Sequence, residues 1–275
     1  MRGEQRDVIN MKPVEPFFRD TGAGPGIVCF HANASHSAQW RELQDSLAAN
    51  FRVLALDSWG AGKSPPWPTD RVVTLSDEVA LAEPVLATAG QPLILVGHSY
   101  GAAVALVAAA QNPTRVRAMA LYEPTLFALL DAETPPPNAA DAIREVVAKA
   151  RLSLEAGDLD SAAERFIDYW MGAGAWEQIP SQRKPAISAS VVNLPGWAHA
   201  LLNEPTPLQV FSALELPVLY MVGKHSPASS RAVARLLIRA LPNVECVEFE
   251  DLGHMGPITH PDPVNTAIMQ FIERL

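Results

Sequence analysis

Short, continuously apolar runs alternate with longer helical patterns along most of this sequence, and this alternation constrains the fold more than any other feature. The first half of the chain predicts strands at 27–30, 52–56, 92–96 and 116–122, and helices at 38–48, 74–88 and 100–111. Each strand is apolar at successive rather than alternate positions, so both of its faces should be covered. That pattern is typical of a mostly parallel sheet with helices on both faces.

The alternation breaks at residues 131–137, where Asp-Ala-Glu-Thr-Pro-Pro-Pro can neither continue a helix nor enter a central strand. From about residue 138 to 203 the pattern is helical without convincing strands. Strands return at 217–222 and 244–249, with helices at 228–241 and after residue 261. We therefore predict one α/β core domain formed by residues 1–130 and 206–275, interrupted by a helical insertion at 131–205.

Composition excludes several classes of protein. A chain of 275 residues that is 48% apolar can bury a sizeable core. The net charge of −9, without any cluster of Lys and Arg, argues against a nucleic-acid partner. The longest apolar stretch, residues 102–110, is about half the roughly 20 residues of a membrane span, and the first residues lack an apolar signal core. We expect a cytoplasmic protein whose two cysteines, Cys29 and Cys246, are reduced and buried. The oligomeric state stays open, a homodimer included.

A nucleophile motif stands where an apolar strand ends and a helix begins. Residues 97–101 read Gly-His-Ser-Tyr-Gly, a G-x-S-x-G pattern. The two glycines allow a sharp strand-to-helix turn that exposes the serine oxygen at the carboxyl edge of the sheet. Ser99 is therefore a candidate nucleophile.

A serine hydroxyl needs a histidine base that the fold brings close. His254 lies in a loop between the last predicted strand and the last helix, at the same edge of the sheet as Ser99. Among the other histidines, His31 ends a strand, His98 lies inside the turn itself and His199 lies in the insertion. We predict that His254 is the base.

Two further segments complete a family resemblance. Residues 30–33, Phe-His-Ala-Asn, look like a His-Gly-x turn after an early strand, and residues 57–64 are similar to a D-x-x-G-x-G-x-S loop. Together with Ser99 and His254, these motifs resemble the α/β-hydrolase superfamily, in particular its lid-bearing, esterase-like serine hydrolases. The resemblance implies an α/β-hydrolase fold with a sheet of about eight strands, and a helical cap, or lid, inserted after the sixth strand.

The resemblance also implies an oxyanion hole made by the backbone N–H groups of Asn33 and Tyr100. Two such amides would stabilise the negative charge that develops during acyl transfer. This chain has Ala32 where the family usually has glycine, which requires a negative φ at that residue.

The third member of the expected triad departs from the family. Most relatives carry an aspartate after the seventh strand, but Ser226 occupies that position here. Glu123, at the end of the sixth expected strand, matches the position where some lid-bearing relatives, the haloalkane dehalogenases among them, carry their acid. We predict Glu123 as the acid, while Asp251, Glu250 and a dyad without an acid stay open as alternatives.

Large apolar side chains are candidates for a substrate pocket beneath the lid, although packing within the core would explain each of them equally well. They are Trp59, Phe127, Trp170, Trp197 and Met255. The glycine-containing segment 60–64 lacks the first glycine of a phosphate loop, and no spacing of ligands indicates zinc or a dinucleotide. Neither a metal nor a cofactor is implied.

The predicted function is hydrolysis of a small, largely apolar carboxylic ester, lactone or thioester through an acyl-enzyme on Ser99. A serine in that position argues against dehalogenase or epoxide-hydrolase chemistry, because both need a carboxylate nucleophile. The same fold leaves open a carbon–carbon bond hydrolase, an acyltransferase or a cofactor-free peroxidase. It also leaves open a receptor that binds a ligand without turning it over.

Overall fold

A seven-stranded sheet forms the centre of the computed structural model, which describes residues 14–275. The strands are β1 (Phe18–Gly22), β2 (Gly26–Phe30), β3 (Arg52–Leu56), β4 (Leu93–His98), β5 (Val116–Tyr122), β6 (Val218–Gly223) and β7 (Val244–Phe249). Their order is β1-β3-β2-β4-β5-β6-β7, with β1 antiparallel and all other pairs parallel. The predicted α/β class is confirmed, but the described residues contain one strand fewer than the eight or so expected.

Thirteen α-helices belong to the described residues. They are α1 (Arg41–Leu47), α2 (Leu75–Ala89), α3 (Tyr100–Gln111), α4 (Ala128–Glu133), α5 (Asp141–Glu155), α6 (Leu159–Met171), α7 (Ala175–Gln178), α8 (Lys184–Ser190), α9 (Leu194–Leu202), α10 (Leu208–Phe211), α11 (Ala228–Ala240), α12 (Gly256–Thr259) and α13 (Pro261–Glu273). No helix in this part of the chain is both long and apolar enough to cross a membrane.

The two faces of the sheet bury different residues of the same strands. Ile27 and Cys29 of β2 pack with α1 and α13, whereas Val28 and Phe30 pack with the cluster that contains α2, α3 and α11. All residues of β2, β4 and β6 are buried, as continuous apolar runs predict. Helices therefore cover both faces.

The edge strands differ from the sequence predictions. β1 reads Phe-Arg-Asp-Thr-Gly and lies half exposed at one edge, so it lacks the apolar run that identified the other strands. β7 lies at the opposite edge and is only partly covered. The prediction that both thiols are buried is accordingly wrong for Cys246, which is exposed, while Cys29 in a central strand is buried.

Between β5 and β6 the chain forms α4 to α10 and no strand, and we call residues 128–211 the helical segment. The insertion was expected after a sixth strand, and it follows the fifth because the described sheet has fewer strands. The division into a core domain and a cap at 131–205 stays a prediction.

The loop 57–64 is a structural turn that connects β3 to the rest of the core. The Asp57 carboxylate accepts hydrogen bonds from the N–H groups of Ser37 (2.6 Å) and Lys63 (2.8 Å). Gly62 has a φ of 53°, and a Cβ atom there would lie 2.0 Å from Asp57 Oδ2. These amides thus bind the chain's own carboxylate.

Candidate active site

Ser99 occupies a tight turn between β4 and α3. Its φ is 56°, in the left-handed region that non-glycine residues rarely adopt. Its N–H donates to the carbonyl oxygen of Tyr122 at 2.9 Å, which ties the turn to β5. Both flanking glycines are required, since a Cβ atom would lie 2.5 Å from Ala102 Cα at Gly97 and 2.4 Å from the His31 carbonyl oxygen at Gly101.

The structure brings Ser99, His254 and Glu123 into one hydrogen-bonded line. His254 Nε2 lies 2.8 Å from Ser99 Oγ, and His254 Nδ1 lies 2.5 Å from Glu123 Oε2. All three side chains are buried. An ionised carboxylate only accepts hydrogen bonds, so it fixes the imidazole proton on Nδ1 and leaves Nε2 free to accept the serine proton.

Glu123 is held by more than the histidine. Its Oε1 accepts hydrogen bonds from the Gly223 N–H at 2.7 Å and from the Ser226 hydroxyl at 2.5 Å. Ser226, at the position where the family resemblance led us to expect an aspartate, therefore binds the carboxylate that reaches the histidine. The alternatives Asp251 and Glu250 are both exposed, and Glu250 pairs with Lys224 instead.

Backbone strain in the described residues is concentrated around this line. Ala34, Ser99 and Glu123 are the three non-glycine residues of residues 14–275 with positive φ, at 56°, 56° and 46°. Such conformations cost roughly 1–3 kcal/mol each and cluster at functional sites. Their coincidence at this edge of the sheet is what a functional site there would show.

The two residues expected to supply the oxyanion hole lie near Ser99, one next to it in the chain and one in the lining of the same cavity. Tyr100 is the first residue of α3, where the helix itself offers no acceptor for the N–H group. Asn33 lines the same cavity as Ser99 and His254. The positive φ in this turn falls on Ala34 and not on Ala32, so the condition for an alanine in the glycine position is met.

A small cavity of about 30 Å³ adjoins Ser99 and is lined largely by apolar side chains. Four of the five predicted pocket residues line it, namely Phe127, Trp170, Trp197 and Met255. Trp59 does not line this cavity and packs in a separate cluster with Val73 and Leu81, so its role in a pocket stays a prediction.

Sequence reasoning missed several lining residues of the helical segment. They are Ile143, Val147, Phe166, Leu194, Leu201 and Leu202, with Ala198 beside them. Helical spacing could have found some of them, since Phe166 lies four positions before Trp170 and Leu201 four positions after Trp197.

Trp170 of α6 connects the helical segment with the hydrogen-bonded line of Ser99, His254 and Glu123. Its indole stacks on the His254 imidazole, with 4.0 Å between ring centroids and 26° between planes. Trp170 itself is buried among Phe127, Phe166 and Tyr169. One face of the histidine is thereby shielded from water.

A buried carboxyl group, that of Glu78, binds the side chain of Tyr100, the residue that follows Ser99. Glu78 of α2 accepts hydrogen bonds from the Tyr100 hydroxyl at 3.1 Å and from the Trp59 N–H at 3.2 Å. Burial raises the pKa of Glu78 to about 8. The carboxyl is therefore largely protonated at neutral pH.

Comparison with known proteins agrees with this architecture. A family described as alpha/beta hydrolase fold matches residues 25–261. The chain is 27% identical over 259 residues to a pimeloyl-[acyl-carrier protein] methyl ester esterase of Chromobacterium violaceum, covering 94% of this chain and 98% of the relative. It is 30% identical over 268 residues to the lipase LipV of Mycobacterium tuberculosis, covering 90% and 93%.

A solved structure of an alpha/beta hydrolase from Sphaerobacter thermophilus is similar, with a TM-score of 0.72 and 26% identity over 94% of this chain and 96% of that one. The chain therefore belongs to the α/β-hydrolase family and is a hydrolase of that fold.

Proposed function

We propose that the protein is a serine hydrolase that cleaves a small, largely apolar carboxylic ester, lactone or thioester. The observation that carries the proposal is the buried line from Ser99 Oγ through His254 to Glu123, with separations of 2.8 and 2.5 Å. A nucleophile, a base and an orienting acid in hydrogen-bond contact are what acyl transfer by serine requires.

In this mechanism His254 takes the proton of Ser99 as the oxygen attacks the substrate carbonyl. Glu123 keeps the imidazole oriented and stabilises its charged form. The N–H groups of Asn33 and Tyr100 bind the oxyanion, and His254 then donates its proton to the leaving group. A water molecule activated by the same histidine releases the acyl group and regenerates the serine.

The lining of the cavity supports the proposed substrate class. The lining is dominated by aliphatic and aromatic side chains, which favours apolar acyl or alcohol groups. The cavity is narrow, with about 30 Å³ of water-accessible space, and much of its lining comes from the helical segment. The proposed cap at 131–205 would therefore act as a lid over the substrate.

A fluorophosphonate probe tests the proposal, because it reacts with activated serines. We expect stoichiometric labelling of the wild type and of Ser46→Ala, an exposed control on α1, and none of Ser99→Ala. Hydrolysis of p-nitrophenyl butyrate should follow the same pattern, with a burst of phenolate. Labelling or turnover that survives in Ser99→Ala would exclude this mechanism, and an inert wild type that still binds esters would favour a receptor.

A further inference from the structure

His98 is a fully buried histidine next to Ser99 that the proposed mechanism does not use. Its Nε2 lies 2.8 Å from the carbonyl oxygen of His254, and its Nδ1 lies 3.1 Å from Nε2 of Gln39. The other end of the Gln39 amide, Oε1, accepts a hydrogen bond from the N–H of Ala32 at 3.1 Å. Two side chains thus connect the Ala32–Asn33 turn with the loop that carries His254.

The protons of this connection have one self-consistent arrangement. The His254 carbonyl can only accept, so the His98 proton lies on Nε2 and Nδ1 accepts from the Gln39 NH₂ group. The Gln39 oxygen then faces the Ala32 N–H. Burial, followed by the nearby His254, lowers the pKa of His98 well below its ordinary value. A neutral His98 adds no positive charge beside His254 when that ring becomes protonated.

The adjacent strand contributes a second bond to the same loop. Tyr122 of β5 is the register partner of His98 in β4, and its hydroxyl donates to the carbonyl oxygen of Gly253 at 2.7 Å. Two consecutive carbonyls, those of Gly253 and His254, are therefore bound by two neighbouring side chains from the end of the sheet. Only the His98 bond continues through Gln39 to Ala32.

We propose that Gln39 and His98 are positioning residues, which hold the oxyanion turn and the base loop at a fixed separation around Ser99. This proposal rests on the proposed function, because it concerns the alignment of Asn33 and His254 with the serine. A misplacement of about 1 Å at such a site can cost roughly 100-fold in rate. Loss of the connection should therefore lower kcat while leaving the apolar lining, and hence KM, nearly unchanged.

The experiment compares Gln39→Leu, His98→Leu, His98→Gln and the double variant Gln39→Leu/His98→Leu. Gln44→Leu is the control, because Gln44 is a buried glutamine five residues after Gln39 whose amide binds the Val53 carbonyl and not the site. Active sites are counted with the fluorophosphonate probe, and kcat and KM are measured with p-nitrophenyl butyrate. Counting active sites separates misfolded protein from misaligned protein.

We expect kcat to fall roughly 10- to 100-fold in Gln39→Leu and His98→Leu, with KM within about threefold of the wild type. His98→Gln should recover part of the loss, because its amide can still donate to the His254 carbonyl. The double variant should lose little more than the worse single variant, as expected for one connected unit.

The positioning role is overturned if both single Leu variants keep kcat within twofold of the wild type, or if Gln44→Leu loses as much as they do. Fully multiplicative losses in the double variant would overturn it as well. A wild type that neither labels nor hydrolyses esters would instead contradict the proposed function, and this inference with it.

Discussion

Glu123 combines an unfavourable backbone conformation with hydrogen bonds to both oxygens of its carboxylate. Its φ of 46° is strained for a non-glycine residue. Its oxygens accept from His254, Ser226 and the Gly223 N–H. These three hydrogen bonds hold the side chain in place, and their free energy offsets the strain of the backbone at Glu123.

Replacing Glu123 by Gln should therefore have a large effect on catalysis and a smaller one on folding. The neutral amide no longer fixes the imidazole proton on Nδ1, so we expect kcat to fall roughly 10³- to 10⁴-fold. Asp251→Asn, which changes an exposed carboxylate three residues before His254, should keep wild-type turnover. Steady-state hydrolysis of p-nitrophenyl butyrate measures both variants. Wild-type turnover in Glu123→Gln together with an inactive Asp251→Asn would show that Asp251, and not Glu123, is the acid.

Among secondary-structure elements, α6 links the helical segment to the proposed chemistry through Trp170. The indole stacks on His254 at 4.0 Å between centroids. An aromatic face beside a developing imidazolium stabilises it by about 0.5–2 kcal/mol. Movement of α6 would therefore both open the cavity and expose the base.

Trp170→Ala should lower kcat by roughly 2- to 30-fold, because that factor corresponds to the free energy of the stacking interaction. Trp170→Phe should lower kcat by a smaller factor, because it keeps an aromatic ring beside His254. Trp176→Ala serves as the control, since Trp176 is a buried tryptophan of the same helical segment that does not line the cavity. Turnover is compared below the melting temperature of every variant. Equal losses at the two positions would show that the segment's packing, rather than the stacked ring, matters.

The same elements show which parts of the fold can be predicted from sequence. The continuous apolar runs of β2, β4 and β6 report their burial on both faces, and the predicted bounds of α3 and β5 coincide with the observed ones. β1 was missed, because an edge strand needs no apolar run. Cys246 was misplaced for the related reason that an edge strand leaves side chains exposed.

The residues of the site also differ in whether the sequence predicts their positions. Ser99 and His254 stand in local motifs whose strand ends share one edge of the sheet, so their proximity could be predicted. The Gln39–His98 connection could not, because no local motif marks Gln39 and its bonds depend on side-chain orientation. Trp59 was assigned to the pocket by residue type alone, without a pattern that placed its ring.

For the whole molecule, the buried Glu78 makes stability depend on pH. Its pKa is about 8 in the fold, because burial disfavours the charged form, against an ordinary value of 4.5. As pH rises, the unfolded chain releases this proton at a lower pH than the folded protein does. The stability associated with the protonated form is therefore fully present below about pH 4.5 and is lost progressively toward pH 8.

Glu78→Gln should remove this dependence, because the amide resembles the protonated carboxyl. Urea unfolding between pH 5 and 8 should show the wild type losing stability relative to the variant by up to about 1.4 kcal/mol per pH unit. Glu83→Gln, on the exposed face of the same helix, should keep the wild-type slope. Parallel profiles for the wild type and Glu78→Gln would mean that Glu78 is ionised in the fold.

The most direct test of the central claim is the covalent intermediate itself. Wild-type protein mixed with p-nitrophenyl butyrate and quenched in acid within the burst should gain the mass of one butyryl group, and fragmentation should locate it on the peptide containing Ser99. Ser99→Ala should show no such adduct. A butyryl group on another residue, or turnover without any acylated protein at short times, would contradict the account.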